Sequence, residues 1–190
     1  ERTMMRKHVE LGMKMVRTTP GVNADVIAMI EGHHERHDGS GYPKGLAGAD
    51  IPVFGRIAGL IDSFDAMTTK RPYAAAKSSY DAIRELNGLA GPTFQRELVE
   101  QFVQALGMFP TGSLVQLNTG EVAIVIEQNR VRRLRPKLML LLNSDKVPVA
   151  AHDTIDLRKV PDAGSNPGAR WIVSGLEPGA YGLDPKDYFA

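Results

Sequence analysis

Two adjacent histidines, His33 and His34, run straight into an acidic, glycine-rich segment that closes on tyrosine and proline: His33-His34-Glu35-Arg36-His37-Asp38-Gly39-Ser40-Gly41-Tyr42-Pro43. Histidine is the commonest metal ligand, and burying two imidazoles side by side without partners costs free energy. Successive residues on a helix point about 100° apart, so the pair suits two neighbouring ions better than chelation of one. Further along, Asp62 and Asp65 lie on a segment otherwise rich in core residues and follow the histidines closely enough to meet them, although helix carboxylates usually form a solvated face. A carboxylate with three imidazoles makes a hard nitrogen–oxygen donor set suited to iron, manganese or zinc rather than copper(I). Such ions activate water and neutralise phosphate charge, as metal-assisted phosphodiester hydrolysis requires.

The remaining candidates each have a plainer reading. His8 lies on an apolar stripe, where a hydrogen-bonded core histidine is commoner than a ligand. His37 opens the loop and is expected to be solvated, and His152, with no clustered donors, to be at the surface. The glycines at 39, 41, 45 and 48 either serve tight turns needing positive φ or let backbone and Tyr42 approach a ligand. In the second case the Tyr42 ring is free to stack on a base. Arg71 either complements a helix end or matches a phosphate with its planar fork.

The elements that must position these residues follow from periodicity and punctuation. Met4, His8, Leu11 and Met15 recur at helical spacing, which predicts an amphipathic helix over about 2–17 with His8 on its apolar stripe. Pro20-Gly21 breaks it and Asn23 caps the next helix, where Val26, Ile27, Ile30, His33 and His34 share the inward face. Residues 38–50 read as an ordered loop. Pro52 suits the first position of a third helix, whose greasy side is Val53, Ile57, Leu60, Ile61 and Phe64. Beside it runs the stripe Ala58, Asp62, Asp65, Thr69, facing a polar cavity or solvent, and Arg71-Pro72-Tyr73 ends the helix. Helices at about 78–87 and 94–106 follow, with Gly107 as terminator.

From Pro110 the pattern becomes β. Residues 114–117, a turn at 118–120 and residues 121–126 predict a hairpin. Residues 137–142 and 154–157 predict two more strands, 161–169 a linker, and 171–173 a segment that returns to the sheet or the helices. The expected fold class is mainly α: a helical bundle over 1–109, followed by a small β-rich region over 110–190. With 23 basic and 22 acidic residues, no global field favours duplex nucleic acid. The chain has no cysteine, which excludes disulfides and thiolate chemistry. No apolar run is long enough for a membrane span. The opening Glu1-Arg2-Thr3-Met4 reads as the interior of a helix, hence as a piece of something longer.

Residues 1–109 resemble the HD-GYP family of HD-domain metal phosphohydrolases, covering about the last two-thirds of such a domain. His8-Val9-Glu10-Leu11-Gly12, the block 33–46, Ile51-Pro52, Arg56-Ile57, residues 62–66 and Arg71-Pro72-Tyr73 match in order and spacing. The resemblance implies an HD-like helical bundle that hydrolyses cyclic di-GMP to pGpG or GMP at a site of two or three divalent ions, iron or manganese above all. It makes His8, His33, His34 and Asp62 the metal ligands. It puts Gly41 and Tyr42 on the substrate, and gives Arg71 its phosphate or guanine. Asp38 ties the loop together, and Asp65 supports the site from behind the ligands. The His-Asp pair that names the superfamily, and the lysine after it, belong upstream of Glu1. Ala74 stands where the family usually has a basic residue, and Lys77, one turn on, compensates. Residues beyond 110 resemble the β-rich tail of some members.

The resulting expectation is part of a cyclic di-GMP phosphodiesterase, located in the cytoplasm and nearly inactive as this isolated chain, because four ligands cannot fill two metal spheres. The alternative is a catalytically degenerate module that senses the dinucleotide or binds a protein. GGDEF-domain proteins are expected partners of the glycine loop, and the β-rich region a dimerisation element.

Overall fold

The structure, a computed structural model, describes residues 2–72, 74–151, 153–160 and 168–189, with side chains of the first helix from Arg6 onward. The expectations for Tyr73, His152 and residues 161–167, and for the side chain of Met4, lie outside the described residues. Helices come first and strands second, as expected. They are α1 (Arg2–Arg17), α2 (Ala24–Gly32), α3 (Val53–Thr68), α4 (Ser79–Gly88) and α5 (Arg96–Leu106). The strands are β1 (Leu114–Leu117), β2 (Val122–Glu127), β3 (Lys137–Leu142), β4 (Thr154–Asp156) and β5 (Ile172–Leu176). Contacts divide the chain into one unit of residues 1–66 and 85–102 and a second of residues 67–84 and 103–190.

In the first unit, helix ends follow the local chemistry. Thr18 and Thr19 hydroxyls each donate to the Met15 carbonyl at 2.9 Å, and Gly21 adopts φ +79°, so α1 stops before Asn23. Asn23 then accepts from the Asp25 N–H at 2.8 Å and starts α2. Pro52 is the residue before α3 rather than its first, its carbonyl accepting from the Arg56 N–H at 3.0 Å.

Which helix faces are buried differs from expectation. On α1 the buried residues are Val9 and Met13, whereas Leu11 and Met15 are 61% and 71% exposed and His8 is exposed with them. The helix carries two overlapping apolar stripes, and Gly12, set against Ile30 of α2, decides which turns inward. On α2, Val26 is exposed. On α3, Val53 and Ile61 are exposed, and Gly55, Gly59 and Leu60 form the buried line instead. Those glycines bring α3 onto the end of α2: a Cβ on Gly55 would lie 3.0 Å from Gly32 Cα, and one on Gly59 only 2.5 Å from the His33 carbonyl oxygen.

The second unit holds an antiparallel sheet in the order β4-β3-β2-β1-β5. Its central strands are apolar on both faces because both are covered. Val115, Ala123, Val125, Leu138 and Leu157 gather with Phe109 in one cluster, and Leu114, Val122, Ile124 and Leu142 in another. The segment 171–173 returns to the sheet, as β5 beside β1. Gly175 fits there because a Cβ would lie 2.7 Å from the hydroxyl of buried Ser78, the residue preceding α4.

Candidate metal centre

The two signature histidines do not sit inside a helix. His33 is the C-cap of α2, still with right-handed helical φ/ψ, and His34 lies in the turn beyond it. The divergence of about 100° expected of helical neighbours is replaced by convergence, with the two rings 4.2 Å apart between centroids. His8, one turn before Gly12, reaches both: its Nε2 lies 3.1 Å from Nε2 of His33 and 3.1 Å from Nε2 of His34. Ligand nitrogens of all three lie within 4.8 Å of one another, the spacing of donors around a single ion.

Protonation favours that use. His33 Nδ1 stands 2.9 Å from the Ile30 carbonyl oxygen, which can only accept, so this contact places a proton on Nδ1 and directs Nε2 toward the other two rings. Burial pushes His34 down from the ordinary histidine range to about 4, helped by His33 and opposed by the Asp62 carboxylate, so the ring is neutral at pH 7. His8 Nε2 can donate to only one of its two neighbours. At most one of the two Nε2–Nε2 contacts of His8 is therefore a full hydrogen bond, and a cation shared by the three nitrogens would satisfy both.

Asp62 is half-buried on α3 and interacts electrostatically with His34, Arg36 and Tyr42, but its carboxylate is not among the atoms that converge within 4.8 Å. Asp65, farther along α3, is exposed. Tyr42 stacks on His34 with centroids 4.6 Å apart, and the Arg6 guanidinium covers its ring at 4.7 Å. The ring is thus engaged rather than free. Burial raises the phenol above its ordinary value, which keeps it a hydrogen-bond donor. Gly41 is required sterically, since a Cβ would lie 2.4 Å from the Arg36 nitrogen. Hydrogen bonding from the Ser40 side chain, and from the Ser40 N–H at 2.9 Å, holds the Asp38 carboxyl below the usual carboxylate range.

Arg71 and Lys77 belong to the second unit and are exposed. Arg71 exchanges backbone hydrogen bonds with Ala74, and the Lys77 N–H donates to the Met67 carbonyl at 2.7 Å. His37 is not solvated: its N–H donates to the Thr93 carbonyl, and its buried Nδ1 has no partner among the described residues.

Three supporting residues escaped the sequence reading. Buried Glu35 accepts from the N–H groups of Lys44 at 2.7 Å and Leu46 at 3.0 Å, pinning the far side of the loop. Arg36 donates to the carbonyls of His33 and Glu35 at 3.1 and 2.9 Å. Gly59 admits the His33 carbonyl to the surface of α3. The available signal was an acid and a base directly after the histidine pair, and glycines four apart on the third helix.

The family model for the HD domain matches residues 1–98, just over half the chain, and one for a KOW domain associated with the HD domain matches residues 114–163. A cyclic di-GMP phosphodiesterase of Pseudomonas aeruginosa is 32% identical over 179 residues, covering 92% of this chain and 43% of that protein. One from Thermotoga maritima is 39% identical over 102 residues, covering 53% of this chain and 28% of that protein. A 3'3'-cGAMP-specific phosphodiesterase of Vibrio cholerae is 38% identical, covering 55% of this chain and 20% of that protein. The chain spans less than half the length of each of these relatives.

Proposed function

The chain belongs to the HD-domain family, and we propose that it is part of a metal-dependent phosphodiesterase that hydrolyses cyclic di-GMP to pGpG or GMP. The observation that carries this reading is the meeting of three imidazole nitrogens, one of them on a ring whose Nδ1 stands 2.9 Å from the Ile30 carbonyl oxygen. This donor set fits a divalent ion, with iron or manganese preferred by its nitrogen–oxygen character once Asp62 is counted. Two or three ions would be held when the upstream ligands are present. When bound, they would polarise the phosphodiester and acidify a water molecule.

The chain's own residues orient and bind. Ile30 and Arg36 set the histidine turn, Glu35 and Asp38 hold the loop, and Gly41 and Tyr42 border the site on the side where a nucleotide would lie. Asp62 offsets the cations' charge, with Asp65 behind it on the same helix. Arg71 and Lys77, as exposed cations, would take the substrate's phosphates or guanine. No described helix is long and apolar enough to cross a membrane. A cyclic di-GMP enzyme would work in the cytoplasm, where its substrate is made. The exposed loop offers GGDEF-type partners a surface, and residues 110–190 would carry a homodimer contact.

The test is metal content and turnover of the protein with its upstream region, loaded with ferrous or manganous ion. The expected result is stoichiometric metal and conversion of cyclic di-GMP. His33→Ala and His34→Ala should each lower metal affinity at least about 10- to 100-fold, the loss seen even for residues that only support ligands. Undiminished metal content in the doubly substituted protein, or metal-loaded protein that leaves cyclic di-GMP intact, overturns the reading.

A further inference from the structure

In the second unit, residues 128–136 close the hairpin of β2 and β3. Residues 130–137 read Arg-Val-Arg-Arg-Leu-Arg-Pro-Lys, five cations in eight positions, although the chain as a whole carries only +1. No acidic residue occurs between Glu127 and Asp145. The two acids in register with Lys137 at the base of the loop, Glu127 and Asp156, are engaged by Arg158 at 3.6 and 2.8 Å. Arg135 is spent on the fold, its guanidinium donating to the carbonyls of Leu157 at 3.3 Å and Val160 at 2.7 Å. Arg130, Arg132 and Arg133 are left exposed, with no side-chain hydrogen bond or ion pair among the described residues.

Two aliphatic side chains stand in solvent among these cations. Val131 is 91% exposed, the most of any large hydrophobic side chain among the described residues, and Leu134 is 60% exposed. The backbone presents them in a defined turn: Asn129 Oδ1 accepts from the N–H groups of Val131 and Arg132, both at 3.0 Å, and the Arg135 N–H donates to the Arg132 carbonyl at 2.8 Å. Leu134 also borders a cleft of about 280 Å³ with Trp171 and Val173, both exposed, so apolar surface continues beyond the loop. A lone exposed aliphatic residue is ordinary. Two of them interleaved with unneutralised guanidinium groups at a hairpin tip have the composition of a membrane-interfacial segment, apolar groups for the acyl boundary and cations for anionic headgroups. A polyanion in water would satisfy the arginines but give Val131 and Leu134 nothing to enter; a lipid surface takes both.

We propose that this hairpin loop docks on an anionic lipid surface, Val131 and Leu134 entering the boundary between headgroups and acyl chains and Arg130, Arg132 and Arg133 meeting lipid phosphates. Such contact needs no spanning helix. With two apolar side chains and three free cations it is reversible, and salt loosens it. The proposal is independent of the hydrolase reading and uses none of its residues.

The test is co-sedimentation of the chain with vesicles of phosphatidylcholine alone and of phosphatidylcholine mixed with phosphatidylglycerol. Expected is binding to the mixed vesicles that weakens as salt rises, and little binding to the neutral ones. Combined Arg130→Ala, Arg132→Ala and Arg133→Ala should lower the partition coefficient about a hundredfold, since each cation near such a surface contributes about fivefold. The corresponding three lysine substitutions should retain most of it, because charge is kept. Val131→Ser with Leu134→Ser, which leaves the charge untouched, should lower it at least about tenfold. All these side chains are exposed, so the variants should keep the wild-type thermal midpoint. Because the chain has no cysteine, Val131→Cys offers a unique thiol for an environment-sensitive fluorophore, whose emission should shift to the blue on the mixed vesicles. Absence of binding to the mixed vesicles, equal binding to the neutral ones, or an unshifted label overturns the proposal. So does binding that the two serine substitutions leave unchanged, the behaviour of a surface for any polyanion, nucleic acid included.

Discussion

At Glu35 one carboxylate replaces what would otherwise be two unpaired loop amides. It is 5% exposed and takes the N–H groups of Lys44 and Leu46, nine and eleven residues away. Hydrogen bonds to a charged group contribute about 1.5–3 kcal/mol each, so Glu35→Ala is expected to destabilise the protein by about 3 kcal/mol or more in urea unfolding. Because Tyr42 belongs to the same loop, its contact with His34 should loosen as well, and hydrogen exchange of residues 39–47 should rise. Wild-type stability for this variant would show that the loop is held by something else. His33 makes a related point. Its residue type and position proposed a ligand, but the direction of its Nε2 came from a carbonyl three residues earlier that any residue at 30 would supply.

The elements themselves were legible to within two or three residues, because proline, glycine and asparagine punctuate them strongly. Asn23 caps α2, Gly107 with φ +77° ends α5, and Asn118-Thr119-Gly120 turns β1 into β2. What escaped was the choice of buried face, since α1 and α3 each carry more than one apolar line. On α3 the chosen line runs through Gly55 and Gly59, residues that contribute no apolar side chain and so leave no trace in a hydrophobic pattern. Gly59→Ala would set a Cβ 2.5 Å from the His33 carbonyl oxygen. The expected cost is about 1–3 kcal/mol, as for overpacking, with weakened metal binding because the histidine turn must retreat. Gly88→Ala, with nothing within 4 Å of its Cβ, is the control and should be neutral or slightly stabilising. Equal thermal midpoints and equal metal affinity for wild type and Gly59→Ala would remove close helix contact as the device that places His33.

Across the whole molecule, a ligand that binds only the folded chain stabilises it by mass action. Manganese at about 100 times its dissociation constant should raise unfolding stability by about 2.7 kcal/mol. The His8→Ala, His33→Ala, His34→Ala protein should show no such gain. A thermal shift that persists without the three imidazoles would place the ion elsewhere. The amino-acid sequence alone determined the order of helices and strands, the candidate ligand types and the family resemblance, because these depend on short-range periodicity, local turn chemistry and residue identity. Only the tertiary structure decided that His8, some 25 residues from the pair, meets it, that the pair converges instead of splaying, and that Glu35 and Gly59 hold it there. Those outcomes depend on which surfaces of α1 and α3 lie against the end of α2, a matter of long-range close approach that spacing along one chain segment does not encode.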